Sequence, residues 1–353
     1  MSSELLAPLD LAFWHLESTA HPLHLGALAH FGPPPADAAD RTPPDLLELL
    51  ARRAAAVPRL RMRVRDVLLP VGGAAWSADP DFDVRRHVHE ITLPGADFRA
   101  ETARLAAELM ERPVARGLPP WEMYLLSGAP DGSFAVLVKL HHALADGMRA
   151  VAIGAGIFDE IAAGRRPARR WFAERGLPLP GADPRALVPV SRRRPGTAPG
   201  PGNSLSGYLV DLPVTEADPA ARLAAVRAAM DRNKAAGPLR GAGAVALLAD
   251  QLHPLAHRFG APLASGAARL LFDLLVTQVP LPRSALSLAG APLRALFPMA
   301  PLARGQSLAV AMSPYGGQVH IGLVADGEAV PDLDALAAAL TAELDLLDPP
   351  DTP

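Results

Sequence analysis

Two adjacent histidines, His141 and His142, are followed by Asp146 and Gly147 in the run Lys139-Leu140-His141-His142-Ala143-Leu144-Ala145-Asp146-Gly147. The spacing H-H-x-x-x-D-G suits acyl transfer. An alcohol or amine attacking a thioester must shed a proton, and a neutral imidazole held beside it can take that proton near neutral pH. Neighbouring residues of an extended segment point to opposite sides, so one ring of the pair acts in a given cavity and the other supports it. The spacing alone leaves open which of His142 and His141 acts. Asp146 could cap the following helix, bind an arginine or orient the imidazole, and a structural role is the favoured reading. Gly147 suits a tight strand-to-helix passage that a side chain would obstruct. The plainer alternative is a pair of satisfied histidines at a strand end.

The elements that must position these residues follow from patterning. The apolar run Phe134 to Leu140 reads as a buried strand delivering the histidines to its end, and a helix is expected from about Asp146 to Ile161. Upstream, Pro8-Leu9-Asp10 precedes Leu11, Phe13, Trp14 and Leu16, the spacing of a short helix with proline in its first turn. A strand over His24 to Phe31 comes next, then a helix over Leu46 to Val57. Leu60, Met62 and Val64 alternate with arginines as a half-buried strand should. A helix over Ala100 to Met110 and a strand over Trp121 to Leu126 complete a mixed first half.

Between about residues 164 and 202 the composition turns to Arg, Pro and Gly, and the prolines, Pro184 and Pro189 among them, are expected to interrupt any regular element. The domain junction is placed there, between residues 1–163 and 203–353. Downstream, a strand (Ser204 to Leu212), a helix (Asp218 to Ala236) and two Ala/Leu-rich helices (Gly243 to His257, Leu263 to Leu275) are expected. A β-hairpin turning at Tyr315-Gly316-Gly317 and a closing amphipathic helix over Pro331 to Leu347 follow.

Composition narrows the function further. The 353 residues suit two domains of ordinary size, and no unbroken apolar stretch is long enough to span a bilayer. Glu4 and Asp10 near the start, with no basic opening and apolar core after it, predict no secretory signal, so a cytoplasmic location is expected. The chain has no cysteine, which closes thiolate metal sites and covalent cysteine mechanisms. A net charge of −3 provides no global field for nucleic acid. The cluster Arg192-Arg193-Arg194, with Arg165, Arg166, Arg169 and Arg170, could meet a phosphate or a lipid surface, although such runs are ordinarily just solvated. His87 and His89, two apart on one expected strand face, form half a metal site at most and are read as surface histidines, so no metal is expected.

At this point the residues resemble a known group. The HHxxxDG run is similar to the signature of the coenzyme A-dependent acyltransferase superfamily, which includes chloramphenicol acetyltransferase, peptide-synthetase condensation domains and wax ester synthase/diacylglycerol acyltransferases. The last of these fits most closely, through Pro8-Leu9-Asp10 with Phe13-Trp14 and His24-Leu25-Gly26, Trp76 to His87, Arg112-Pro113, and Pro120-Trp121-Glu122. Arg185 to Ser191, Gly202 to Ser206 and Leu323 to Leu336 extend it through the second half.

The resemblance implies an α+β fold of two chloramphenicol-acetyltransferase-like halves, mixed sheets flanked by helices, with a central tunnel and the HH motif at its middle. It implies His142 as general base for an acceptor attacking a fatty acyl-CoA or a carrier-protein thioester, with no bound cofactor, and Asp146 as a salt-bridged structural residue. Two departures stand out. A long stretch that members usually carry after the helix ending near Ile161 is missing, so the second half is abridged, and a homo-oligomer or a partner chain could complete the tunnel. Thr277-Gln278-Val279-Pro280-Leu281-Pro282 stands where members usually show Ser-Asn-Val-Pro-Gly-Pro.

Overall fold

In the computed structural model the described residues are 4–33, 43–161, 184–191, 205–216, 218–236, 272–281, 285–302 and 306–347. The organising strand is β7 (Phe134–His141), buried along nearly its whole length. Its continuous apolar run is the mark of a strand covered on both faces. On one side it pairs with β6 (Trp121–Ser127), and on the other with β2 (His24–Phe31), both antiparallel. Val136 and Leu140 point into the larger core with Trp14, Trp76, Trp121 and Phe31, while Ala135 and Leu137 point into a smaller one beneath α3 (Phe98–Glu111). An element paired on both edges and packed on both faces gives its last residues little freedom.

β6 and β7 belong to a seven-stranded sheet whose outer member on the β6 side is β5 (Val88–Thr92), parallel to β6. On the β2 side the next strands come from far along the chain: β13 (Ala291–Met299) pairs with β2, β12 (Ala285–Leu288) pairs with β13, and β8 (Asp159–Ile161) closes the edge. Residues 285–299 therefore complete the sheet that carries the histidines, an exchange that a boundary drawn at residue 203 does not capture.

A five-stranded sheet lies in the order β10 (Leu205–Asp211), β9 (Arg185–Ser191), β11 (Leu274–Gln278), β14 (Leu308–Tyr315) and β15 (Gln318–Ala325). A three-stranded sheet joins β1 (Glu4–Leu5), β4 (Ala74–Ala78) and β3 (Met62–Asp66). The helices are α1 (Pro8–Leu16), α2 (Pro43–Ala56), α3, α4 (Gly147–Ile157), α5 (Pro219–Ala236) and α6 (Leu333–Leu347).

Most expected elements are present, and the hairpin turns where the glycines predict it. Gly316 and Gly317 both adopt positive φ, 61° and 81°, as a tight turn between β14 and β15 requires. Four expectations need correction, the first being the helix expected to run to about Ile161, which ends at Ile157 because Asp159–Ile161 pairs with β12 as strand β8. Arg185–Ser191 is a strand although it contains Pro189 and falls in the expected junction. Only Ala186 and Leu187 pair with β11, so Pro189 lies beyond that ladder and its missing N–H costs no bond on that side. Leu274 and Leu275 begin β11 and are not a helix end, because the parallel pairing with β14 overrides their local helical preference. Leu60 lies in a short 3₁₀ turn, and the alternating strand starts at Met62. The helix expected over Gly243 to His257 and both arginine clusters lie outside the described residues.

Candidate active site

Beyond β7 the chain turns at once. Leu144 N–H donates to the His141 carbonyl and His142 N–H to the Leu23 carbonyl, both at 2.8 Å, which pins the motif against the start of β2. The turn ends at Asp146, an extended residue (φ −85°, ψ 175°) that caps α4. Its carboxylate accepts from Arg149 N–H at 2.8 Å and its carbonyl from Ala150 N–H at 2.8 Å. Such a cap stabilises a helix start by about 1 kcal/mol and fixes where the helix begins. Of the three roles open to Asp146 from its spacing, the geometry realises the cap. Its buried charge also faces His142 and raises that ring's affinity for a proton.

The two histidines are differently placed. His141 is fully buried, and its Nδ1 accepts a hydrogen bond from Ala143 N–H at 3.0 Å. An acceptor Nδ1 puts the proton of the neutral ring on Nε2, which faces Glu17 Oε1 at 3.5 Å. Burial drives the His141 pKa down to about 3, against a smaller upward pull from Glu17. His141 is thus a neutral ring with both nitrogens committed inward.

His142 is partly exposed. The Phe13 ring of α1 lies against it, centroid to centroid 4.0 Å at 32°. Desolvation lowers its pKa to about 4, opposed by a hydrogen bond to its own backbone carbonyl and by the Asp146 charge. The arrangement offers a neutral imidazole held against the Phe13 ring, with the Asp146 charge nearby.

α1 supplies the lid over this pair, since Trp14 meets His141 edge-on at 5.0 Å while Phe13 covers His142. Glu17, just after α1, is the hub of a buried polar group that motif reading did not find. Its carboxylate meets Arg116 at 2.7 Å, His24 Nε2 at 3.3 Å and His141 at 3.5 Å. Burial alone would raise its pKa, but the His24 hydrogen bond and the surrounding positive charge outweigh that and hold it below the ordinary value. With His141 neutral, Arg116 provides the permanent cation, stacked 4.0 Å over Trp14 and donating to the Trp14 carbonyl at 3.2 Å. Phe13 and His24 figured in the resemblance as motif letters without a role. Nothing local marks Glu17 or Arg116, because the pair they form and the Glu17 contact with His141 join segments far apart in sequence.

Lys139, two residues before His141 and on the same strand face, is fully buried. Its ammonium donates to the Leu109 carbonyl at 2.8 Å and to the Arg112 carbonyl, and pairs with Glu122 at 3.3 Å. It thereby closes the C-terminal carbonyls of α3 and locks that helix to the strand bearing the histidines. His87 overturns its expected surface position: it is buried, stacked between Phe82 and Trp121 with centroids 5.6 and 4.7 Å away, and its Nδ1 bonds the Trp121 carbonyl at 2.9 Å. Its register just before β5 turns it into the core while His89 lies against Tyr124. Among the described residues no cluster of three or more His, Asp or Glu side chains is arranged to hold a metal ion.

Comparison with known proteins bears on this geometry. The family model described as the wax ester synthase/diacylglycerol acyltransferase catalytic domain matches residues 6–263. The chain belongs to that family. The model of the family's C-terminal domain matches residues 201–348. A Mycobacterium tuberculosis protein named as the probable diacylglycerol O-acyltransferase tgs1 is 27% identical over 447 aligned residues, covering 95% of this chain and 94% of the relative. An alignment that long against 353 residues means the relative carries residues this chain lacks. Another, tgs3 of the same species, is 36% identical over 162 residues, covering 46% of this chain and 58% of the relative.

Among solved structures, the wax ester synthase/diacylglycerol acyltransferase from Marinobacter aquaeolei VT8 superposes with a TM-score of 0.69 at 20% identity, covering 97% of this chain and 99% of that one. The first condensation domain of the CDA synthetase does so with a TM-score of 0.58 at 16% identity, covering 98% and 95%. The family and the α+β fold of mixed sheets flanked by helices are as the motif resemblance implied. The chain is an acyltransferase of this family.

Proposed function

We propose that the chain transfers an acyl group from a coenzyme A or carrier-protein thioester to the hydroxyl of an acceptor, with His142 as general base. The observation that supports this reading is the asymmetry of the histidine pair: His141 is sealed and turned inward, whereas His142 keeps some exposure. As the acceptor oxygen attacks the thioester carbonyl carbon, its proton passes to the His142 ring. The tetrahedral intermediate then collapses, the carbon–sulfur bond breaks, and the imidazolium returns the proton to the departing thiolate. The products are an ester and a free thiol.

Asp146 serves this scheme by starting α4 at the right place and by favouring the imidazolium that forms in the transition state. Glu17, Arg116, His24 and His141 form a rigid backing. A pKa near 4 keeps the base form fully populated at neutral pH, with less driving force per transfer than an imidazole of ordinary pKa would have. The names of the mycobacterial relatives make diacylglycerol the first acceptor to test, with long-chain alcohols and amines beside it.

The test is thiol release from acyl-CoA by the purified chain across that acceptor panel. His142→Ala should lower turnover by ~10²–10⁴ while the circular dichroism spectrum is retained, and unchanged turnover would remove His142 from the mechanism. The length difference from the tgs1 relative favours one second reading, a binding or partner subunit whose missing wall another chain supplies. Thiol release above blank argues against that reading. Ligand binding without release for any acceptor would support it.

A further inference from the structure

Among the described residues Arg116 makes three direct contacts, and all of them end on α1 or on the residue just after it. Its guanidinium stacks 4.0 Å over the Trp14 ring, donates to the Trp14 carbonyl at 3.2 Å and meets Glu17 Oε2 at 2.7 Å, although its side chain is 49% exposed. The stretch before β6 delivers it there. Val114 and Trp121 are buried on either side, and Gly117, at φ 89°, turns the chain where a side chain would strain it. The helix that receives these contacts is weak by itself. α1 has nine residues and no side-chain hydrogen bond at its N-cap, Ala7. A helix that short is marginal in water, and its last carbonyls find no partner within the helix. The Trp14 carbonyl is one of them, and a cation at that end also suits the helix dipole.

We propose that Arg116 is a positioning residue for acyl transfer, the clasp that seats α1 over the histidine pair. Phe13 of that helix lies against His142, and Trp14 against His141. Glu17 carries the same hold into the sheet. Its Oε2 takes Arg116, while its Oε1 faces His24 Nε2 from β2 and His141 Nε2 from β7, so one carboxylate joins the cover to both strands.

The charged and titratable groups around Glu17 are Arg116, His24, His141 and, at longer range, Lys139. Lys139 is committed to Glu122 and to the α3 carbonyls. Arg116 is therefore the permanent cation in contact with this buried carboxylate. Without it the burial of Glu17 is less opposed, and its pKa rises. A protonated Glu17 would present an O–H toward the Nε2–H of His141, and the support beneath the pair would have to rearrange. The role rests on the reading of His142 as general base, since Arg116 acts on it through α1 and Glu17.

The experiment compares the wild-type chain with Arg116→Gln, Arg116→Lys, and Arg116→Gln combined with Glu17→Gln. Two quantities are read: thiol release from a long-chain acyl-CoA with diacylglycerol as acceptor, across pH, and amide exchange of residues 8–16. Arg116→Gln should lower kcat/KM by about tenfold to a hundredfold, move the acid limb of the pH profile upward and speed exchange across α1 while β7 stays protected. Arg116→Lys keeps the charge but not the planar stack on Trp14, and should fall between wild type and Arg116→Gln on each readout. The double variant should lose the shifted limb, because no carboxyl remains at position 17 to titrate. An unmoved acid limb in Arg116→Gln, exchange across α1 at the wild-type rate, no relief by Arg116→Lys, or a shifted limb that persists in the double variant overturns the proposal. Unchanged turnover in His142→Ala would instead remove the base, and exchange across α1, read without turnover, would still decide whether the clasp exists.

Discussion

The two large sheets are built from different materials. The seven-stranded sheet is packed on both faces by Trp76, Trp121, Phe31, Phe134 and a dense set of leucines and valines. Among the described residues the five-stranded sheet buries chiefly small side chains, Ala186, Ala309, Ala311 and Ser313, and its hydrophobic cluster holds Ala300, Ala309 and Ala311 with half-buried Leu275, Leu302 and Val324. Fully burying a large apolar side chain is worth about 1.5–3 kcal/mol, and an alanine contributes far less. Among the described residues the large buried side chains are concentrated where the histidines are held. The second sheet docks by close backbone approach: a Cβ at Gly322 would overlap the Pro298 carbonyl, and Ser313 Oγ donates to the Leu296 carbonyl at 2.6 Å.

Four measurements break or sharpen this contrast. Trp121→Ala should cost about 3–5 kcal/mol in chemical denaturation, because it empties a fully buried volume and removes the indole bond to the Leu60 carbonyl at 2.7 Å. A cost below about 1 kcal/mol there would contradict the picture of a tightly packed first sheet.

Next comes acid. Burial lowers the pKa of His30 to about 4, of His141 to about 3 and of His142 to about 4, from an ordinary 6.5. Above pH 6.5 these rings are neutral folded or unfolded, so they leave stability at its plateau. As pH falls from 6.5 toward 4 the unfolded chain takes up protons that the folded chain refuses, and stability declines. All three rings sit on or beside β2 and β7, so melting at pH 5 should come more than about 5 °C below melting at pH 7.5, with loss of the first sheet's signals leading. A flat melting profile over that range would mean the rings are solvated.

Asp146→Ala should remove about 1–2 kcal/mol through the lost cap and lower turnover with it, whereas full stability with turnover alone lost would assign the carboxylate to chemistry. Smallest of all, Leu275→Ala in the five-stranded sheet should cost below about 1 kcal/mol, since the side chain is only half-buried. A loss as large as that of Trp121→Ala would erase the difference between the sheets.

What could be seen in advance follows the range of the forces involved. The strands His24–Phe31 and Phe134–His141 announce themselves by local apolar runs, the start of α4 by Asp146, and the hairpin by its two glycines. The family signature also names both histidines. Pairing between distant segments is invisible to such reading. β13 runs Ala-Pro-Leu-Arg-Ala-Leu-Phe-Pro-Met, with two prolines and an arginine, and becomes a strand because β2 offers it a ladder. β9 and the first residues of β11 are set in the same way by neighbours. Glu17 and Arg116 acquire meaning only when α1 folds over β7, and His87 is buried because Phe82 and Trp121 close around it. The asymmetry between His141 and His142 likewise depends on the Ala143 amide, Glu17 and Phe13 together, which no spacing rule encodes.

The exchange of residues 285–299 into the first sheet has a consequence for how the polypeptide is made. Until that late segment emerges from the ribosome, β2 presents a bare row of amide and carbonyl groups from Gly26 to Phe31, the surface on which stray chains assemble into aggregates. A fragment ending near residue 163 would carry the complete catalytic signature yet remain sticky and unfinished. Evolution can therefore shorten the middle of this polypeptide, but it cannot dispense with its far end.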